Sequence, residues 1–141
     1  MVVAVRVVSM TPAEAFAVIP LAAVSADNRL QPEEASLLNT QLRGHSPYRE
    51  MNPVAFGTMV SSILLALQEG RTALLEEAIR LLSLPEQEKA YAFAARIVHA
   101  DRIATPEETR LLAEVGGLLA VPAERLRQIE ASFALLSPEA S

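Results

Sequence analysis

Apolar residues recur every three to four positions through most of the chain, which is the spacing of one face of an α-helix. The segment after Asn52 is typical, with apolar residues at Phe56, Val60, Ile63 and Leu67. No segment shows the sustained two-residue alternation that is typical of a half-buried strand. The pattern therefore predicts an all-α protein, folded as a compact single-domain bundle.

Prolines indicate where most of the predicted helices begin, because the first turn of a helix does not use the N–H that proline lacks. Thr11 and Thr105 also precede a glutamate by three residues, as in a capping box. Gly70 separates two helices, and Gly44 and the pair 116–117 suit helix C-termini or a tight turn. The expected helices cover residues 12–25, 32–43, 53–69, 71–83, 86–100, 106–118 and 122–136.

One phrase occurs twice in the chain, at residues 26–38 and 100–112: Ala-Asp-x-x-x-x-Pro-Glu-Glu-x-x-Leu-Leu. Each copy follows an apolar helix and precedes another helix that opens with proline. This predicts an internal pseudo-twofold duplication in a bundle of about seven helices. The predicted units are an N-terminal arm (1–10) and a helical domain (11–141), which contains repeat one (12–69), a connector helix (71–83) and repeat two (86–136).

Composition narrows the possible partners and the compartment. A net charge of -5 and the scattered basic residues argue against nucleic acid, whereas a cation or a basic protein surface fits better. The absence of cysteine excludes disulfides and thiolate zinc sites and points to a cytoplasmic location.

Residues 1–10 are apolar but too short to span a bilayer, so no direct membrane insertion is expected. They are either a docking arm or a misassigned start. A mean hydropathy of +0.26 favours a protein partner or a homodimer.

The two aspartates of the chain occupy the same position in the repeated phrase. Carboxylates that converge from a turn suit calcium, magnesium or manganese, and suit zinc less well. Neither turn is an EF-hand, because Arg29 and Ile103 stand where that loop needs an oxygen ligand. The alternative is structural: carboxylates in a first helical turn stabilise the helix dipole, and neighbouring arginines neutralise them. The candidate metal ligands are Asp27, Glu33, Glu34, Asp101, Glu107 and Glu108.

The repeated phrase, with the apolar runs 16–24 and 94–98 before its copies, resembles the TerB-like family associated with tellurite resistance. The resemblance extends over residues 11–136. It implies a duplicated all-helical domain of the bacterial cytoplasm, linked to tellurite and other stress responses, which acts as a non-enzymatic metal-sensing or interaction module. The six carboxylates above match the family's candidate cation sites. Family members commonly have glycine after the aspartate, where this chain has Asn28 and Arg102, and arginine tolerates a left-handed backbone poorly.

Three functional hypotheses follow. The first is a TerB-like module that senses or buffers a divalent cation at its acidic turns. The second is a protein-interaction scaffold whose acidic turns only cap helices, and which binds through an apolar helical face, through residues 1–10, or through the linker 43–50. That linker gathers Arg43, His45, Tyr48 and Arg49 and suits an anion or a partner protein, although an ordinary solvated loop explains it too. The third and weakest is a carboxylate-dependent hydrolase, which requires both acidic turns to face one cleft.

The sequence predicts no catalytic residues and no organic cofactor. It contains neither a glycine-rich phosphate loop nor a nucleophile elbow. His45 and His99 do not belong to a Glu-x-x-His motif, which argues against a di-iron bundle. His99 is expected to be a helix cap or a packed residue. The chain is therefore predicted not to be an enzyme.

Overall fold

The computed structural model describes residues 10–25, 32–100 and 106–136, without the side chains of residues 32–34, 100, 107, 108 and 133–136. In these ranges the chain forms helices and no strand, which confirms the predicted all-α fold for the described part. The elements are α1 (Pro12–Val24), α2 (Pro32–Arg43), a 3₁₀ turn (Tyr48–Glu50), α3 (Pro53–Arg80), α4 (Leu84–Ala100), α5 (Pro106–Leu118) and α6 (Ala123–Leu136). None of these helices is long and apolar enough to cross a bilayer.

The third helix combines two helices that the sequence predicted as separate. Gly70 has an extended backbone, with φ -178° and ψ 86°, and the chain is helical on both sides of it. The predicted boundary is therefore present as a kink, and residues 71–80 of the predicted connector 71–83 form the second half of α3. The described residues thus contain six α-helices rather than seven. The internal duplication stays a prediction.

Helix α1 forms the centre of the core. Every residue from Ala17 to Ser25 is buried, and the helix packs against α3, α4 and α5. Its single charged residue, Glu14, lies in the first turn. A helix that is apolar on all sides is expected in a core, and its alanines let the neighbouring helices approach closely. Helix α6 packs on α4 rather than on α1.

Side chains cap three of the helix N-termini. The predicted capping box of α1 is present: Glu14 N donates to Thr11 Oγ1 at 3.1 Å, and Thr11 N donates to Glu14 Oε1 at 2.8 Å. Ser83 and Glu86 form a second box, which the sequence analysis did not predict and which begins α4 at residue 84 rather than 86. Asn52 caps α3 by accepting a hydrogen bond from Ala55 N at 2.7 Å. The predicted box at residues 105–108 lies outside the described residues.

The C-terminal end of α1 is bound by a residue of α3. The helix continues past Pro20 to Val24, and Arg71, directly after the kink in α3, donates to Ala22 O at 2.6 Å and to Ser25 O at 3.0 Å. Burial lowers the pKa of the Arg71 guanidinium, and the nearby charge of Glu114 partly opposes this. The guanidinium supplies donors that the last carbonyls of a helix otherwise lack.

The glycine pair 116–117 does not follow α5, as a C-cap would, but lies inside its last turn. A Cβ atom at Gly116 would lie 3.2 Å from Tyr91 Cε1 and 3.3 Å from Leu126 Cδ1. The absence of a side chain at Gly116 thus allows α4 and α6 to approach α5 closely.

Candidate functional site

The acidic turns lie largely outside the described part of the chain. Asp27 and Asp101 are not described. Glu33 and Glu34 lie in the first turn of α2, and residues 107–108 lie in the first turn of α5, but their side chains are not described. Among the side chains that are described, no group of three or more His, Asp or Glu residues is placed to hold a metal ion. The cation sites, and the hydrolase alternative that depends on them, stay predictions.

Three polar side chains meet where α4 packs on α6. Glu130 Oε2 lies 3.2 Å from His99 Nε2. Burial, together with the charge of Glu130 and a hydrogen bond to it, raises the pKa of Tyr91 to about 12. His99 is therefore a packed residue with a carboxylate partner, as the sequence predicted.

A cleft of about 300 Å³ lies between the first turns of α1, the linker that follows α2, and α4. We refer to it as the aromatic cleft. Most of its wall is apolar, and polar side chains stand at its rim. The apolar residues are Pro12, Ala13, Phe16, Leu42, Pro47, Tyr48 and Phe93, and the polar residues are His45, Ser46, Glu86 and Lys89.

Aromatic rings in contact with one another form the wall of the cleft. Phe16 and Phe93 meet edge to face, with centroids 5.5 Å apart and planes at 81°. The ring of His45 meets Phe93 in the same way, at 5.2 Å and 87°. Edge-to-face contact is the arrangement that the ring quadrupoles favour. The cleft is thus built from side chains that hold one another in place.

Tyr48 anchors the linker to the core. Its ring is buried, and its hydroxyl donates to Ala13 O in the first turn of α1. Burial raises the pKa of this phenol above its ordinary range. Arg43 Nη2 donates to Met51 O at 2.8 Å and so joins the two ends of the linker. These contacts make the linker a fixed wall of the cleft.

The structure separates the side chains that the sequence grouped in this linker. His45 and Tyr48 line the aromatic cleft. The guanidinium of Arg43 lies on the other side of the linker, 5.3 Å from the centre of the Phe56 ring. Arg49 is exposed and pairs with the neighbouring Glu50 at 3.4 Å. Only part of the predicted cationic cluster therefore faces one site.

The rim of the aromatic cleft carries one ammonium group, on Lys89, and one carboxylate, on Glu86. Lys89, the single lysine of the sequence, makes no hydrogen bond or ion pair with any described residue. Glu86 is occupied as a cap, since its carboxylate accepts a hydrogen bond from Ser83 N at 2.8 Å. An ammonium group and an imidazole above an aromatic wall suit a ligand that combines an apolar body with a negative charge.

No family model, no curated protein and no solved structure matches this chain. The TerB-like resemblance therefore stays a prediction from the repeated acidic phrase.

Proposed function

We propose that the chain is a non-enzymatic binding module, and that its aromatic cleft binds an apolar group that carries a negative charge. The observation behind this proposal is Lys89, which pairs with none of the described residues and stands at the rim of a cleft whose wall is mostly apolar and includes aromatic rings. Concave apolar pockets with a few convergent polar groups are the usual form of ligand sites. The proposal corresponds to the interaction-scaffold hypothesis, with the linker 43–50 as one wall of the site.

The hydrogen bonds around the cleft support binding rather than catalysis. Ser46 donates its hydroxyl proton to the exposed carboxylate of Glu50 at 2.9 Å. The ring of His45 packs against Phe93 rather than against that hydroxyl. A nucleophilic serine needs a base that takes its proton and a group that orients the base. These contacts do not form such a set.

A dye titration tests the proposal. Anilinonaphthalene sulfonate combines an aromatic body with an anion, and its fluorescence should rise to saturation with one site per chain. Lys89→Glu should weaken binding about tenfold, which corresponds to about 1.4 kcal/mol, because it places a carboxylate beside the sulfonate. Arg80→Glu is the matched control. Arg80 is exposed at the end of α3, and its replacement by glutamate changes the net charge by the same amount as Lys89→Glu does.

Two outcomes would contradict the proposal. One is dye binding that falls equally in both variants, since that is an effect of net charge alone. The other is the absence of a saturable site in the wild-type protein. Far-ultraviolet circular dichroism should show that both variants keep the wild-type helix content, so that a loss of binding is not a loss of fold.

A second candidate function is the TerB-like one, in which the acidic turns bind calcium, magnesium or manganese. It rests on the predicted duplication, with which the packing of α1 against α4 agrees, because these are the helices that precede the two copies of the repeated phrase. The proposed ligands are the six carboxylates named in the sequence analysis. Asp27 belongs to the first acidic turn and Asp101 to the second.

Thermal unfolding of chelator-treated protein tests this second function. An ion that binds only the folded chain must raise its stability. We expect calcium, magnesium or manganese at millimolar concentration to raise the midpoint by about 5 °C, and Asp27→Asn to remove most of that rise. Helix capping would be supported instead by two results together. The wild-type midpoint would not respond to any ion, and the midpoint of Asp27→Asn would be lower than that of the wild type in the absence of ions.

A further inference from the structure

The first half of α3 carries no charged residue. Residues 53–68 contain neither acid nor base, although 21% of the chain is charged. Much of this segment is nevertheless exposed: Val54 is 78% and Leu65 is 62% exposed, the highest values among the large apolar side chains that the structure describes. Val54, Gly57, Ser61 and Leu65 follow one another at helical spacing and are all exposed. We call them the uncharged face.

A groove of about 470 Å³ lies beside this face, between α2 and α3. Gly57 and Ser61 belong both to the uncharged face and to the wall of the groove. A Cβ atom added at Gly57 would meet nothing within 4 Å, so the space above this residue is open. Arg43 is the charged member of the groove wall, and it is already engaged with Met51 O and the Phe56 ring. The same surface therefore offers protruding side chains and a depression.

We propose that the uncharged face is the contact between two copies of this chain. In a twofold contact in which two antiparallel α3 helices cross at Ser61, residues at equal distances from Ser61 in opposite directions meet. Leu65 then lies over Gly57 of the partner subunit, because the two positions are four residues after and four residues before Ser61. A protruding leucine on each copy is thus placed over the open space on the other. Small residues at a crossing also let the two backbones approach closely.

Charge favours a second copy as the occupant. Each copy carries a net charge of -5, so two copies repel over most of their surfaces. A twofold contact brings each surface patch near its own equivalent, and a charged patch would therefore oppose like charges. The uncharged face avoids this repulsion. It also offers no counter-charge to a strongly acidic or strongly basic partner. This inference is independent of the aromatic cleft.

Sedimentation measurements across the micromolar range test the proposal. The wild-type chain should have the mass of a dimer. Leu65→Glu should have the mass of a monomer, because each new carboxylate would be buried against the uncharged face of the other copy without a partner for its charge. Leu84→Glu is the matched control: Leu84 is also exposed, at 52%, but it lies at the start of α4 away from this face, and the variant should remain dimeric. A monomeric wild-type protein would overturn the proposal and leave the face to a different partner.

Cross-linking tests the position of the contact. The chain has no cysteine, so a single introduced thiol reports only its own surroundings. Ser61→Cys at the crossing should form a disulfide-linked dimer on mild oxidation, because two thiols at the axis satisfy the short Cβ–Cβ distance that a disulfide needs. Ser132→Cys, an exposed position on α6, is the control and should remain unlinked. A dimer that links through Ser132→Cys but not through Ser61→Cys would place the interface elsewhere and overturn the proposal.

Discussion

Tyr48 connects three elements through one side chain. Its hydroxyl donates to Ala13 O in α1, and its ring lies 6.5 Å from Phe16 and 6.2 Å from Phe56. Phe16 belongs to α1 and Phe56 to α3, while Tyr48 itself belongs to the 3₁₀ turn of the linker. The wall of the aromatic cleft therefore depends on a buried phenol that must stay protonated, since an ionised phenolate is a poor match for a carbonyl oxygen.

The two tyrosines should make stability fall at alkaline pH. Burial raises the pKa of Tyr48, and burial with the effect of Glu130 raises that of Tyr91 to about 12. In the unfolded chain a tyrosine titrates near pH 10, so the folded protein holds these protons more tightly than the unfolded protein does. Their stabilising effect should be complete below about pH 10 and should be lost as the pH rises toward the folded pKa values.

Urea unfolding at a series of pH values checks this expectation. The double variant Tyr48→Phe/Tyr91→Phe should lose less stability between neutral and alkaline pH than the wild type. The chain has two tyrosines and no tryptophan, so the ultraviolet absorbance of phenolate reports these two groups directly. An equally steep loss of stability in the double variant would assign the alkaline transition to other groups.

At the scale of the helices, local signals in the sequence predicted some of the bounds but not all of them. Prolines and helical spacing predicted the bounds of α2 and α5, because both signals come from residues close together in the chain. The start of α4 differs because the Ser83 box begins the helix earlier than the apolar pattern indicated. The merged α3 differs because Gly70 takes an extended conformation without a loop.

The aromatic cleft could not be predicted in the same way. It depends on the linker packing against α1 and α4, so that His45 meets Phe93. Phe16 and Phe93 fitted the apolar pattern equally well as ordinary core residues, and Lys89 carried no periodic signal. The attachment of Arg71 to the end of α1 likewise joins residues that are far apart in the sequence. Such contacts arise from the tertiary arrangement. The side chains of the predicted cation ligands are not described.

The adjacent glycines of α5 give a matched test of helix packing. Gly116→Ala should lower the free energy of unfolding by about 1 kcal/mol or more, because the new methyl group approaches Tyr91 and Leu126 too closely. Gly117→Ala should raise it by roughly 0.5 kcal/mol, since a Cβ atom there meets nothing within 4 Å and alanine favours the helix. Urea denaturation measures both changes. Changes of the same sign would show that helix propensity, rather than packing, governs this turn.

For the molecule as a whole, α1 is the element on which the rest depends. It is buried along most of its length and packs against α3, α4 and α5, whereas α2 is exposed at Ser36, Asn39 and Thr40. A helix surrounded in this way can release its amides only when the whole fold opens. We therefore expect the α1 amides to exchange with solvent deuterium among the slowest in the protein, and those of α2 to exchange faster.

Arg71 allows this expectation to be tested within a single helix. Arg71→Met removes the donors to Ala22 O and Ser25 O, so the last turn of α1 should open locally and its amides should exchange faster. The amides near Ala17 should lose protection only as far as global stability falls, because their surroundings are unchanged. Arg80→Met, at an exposed position of the same helix as Arg71, is the control and should leave both ends of α1 as protected as in the wild type. Exchange that rises equally along all of α1 in Arg71→Met would mean that the guanidinium stabilises the whole fold rather than the end of its central helix.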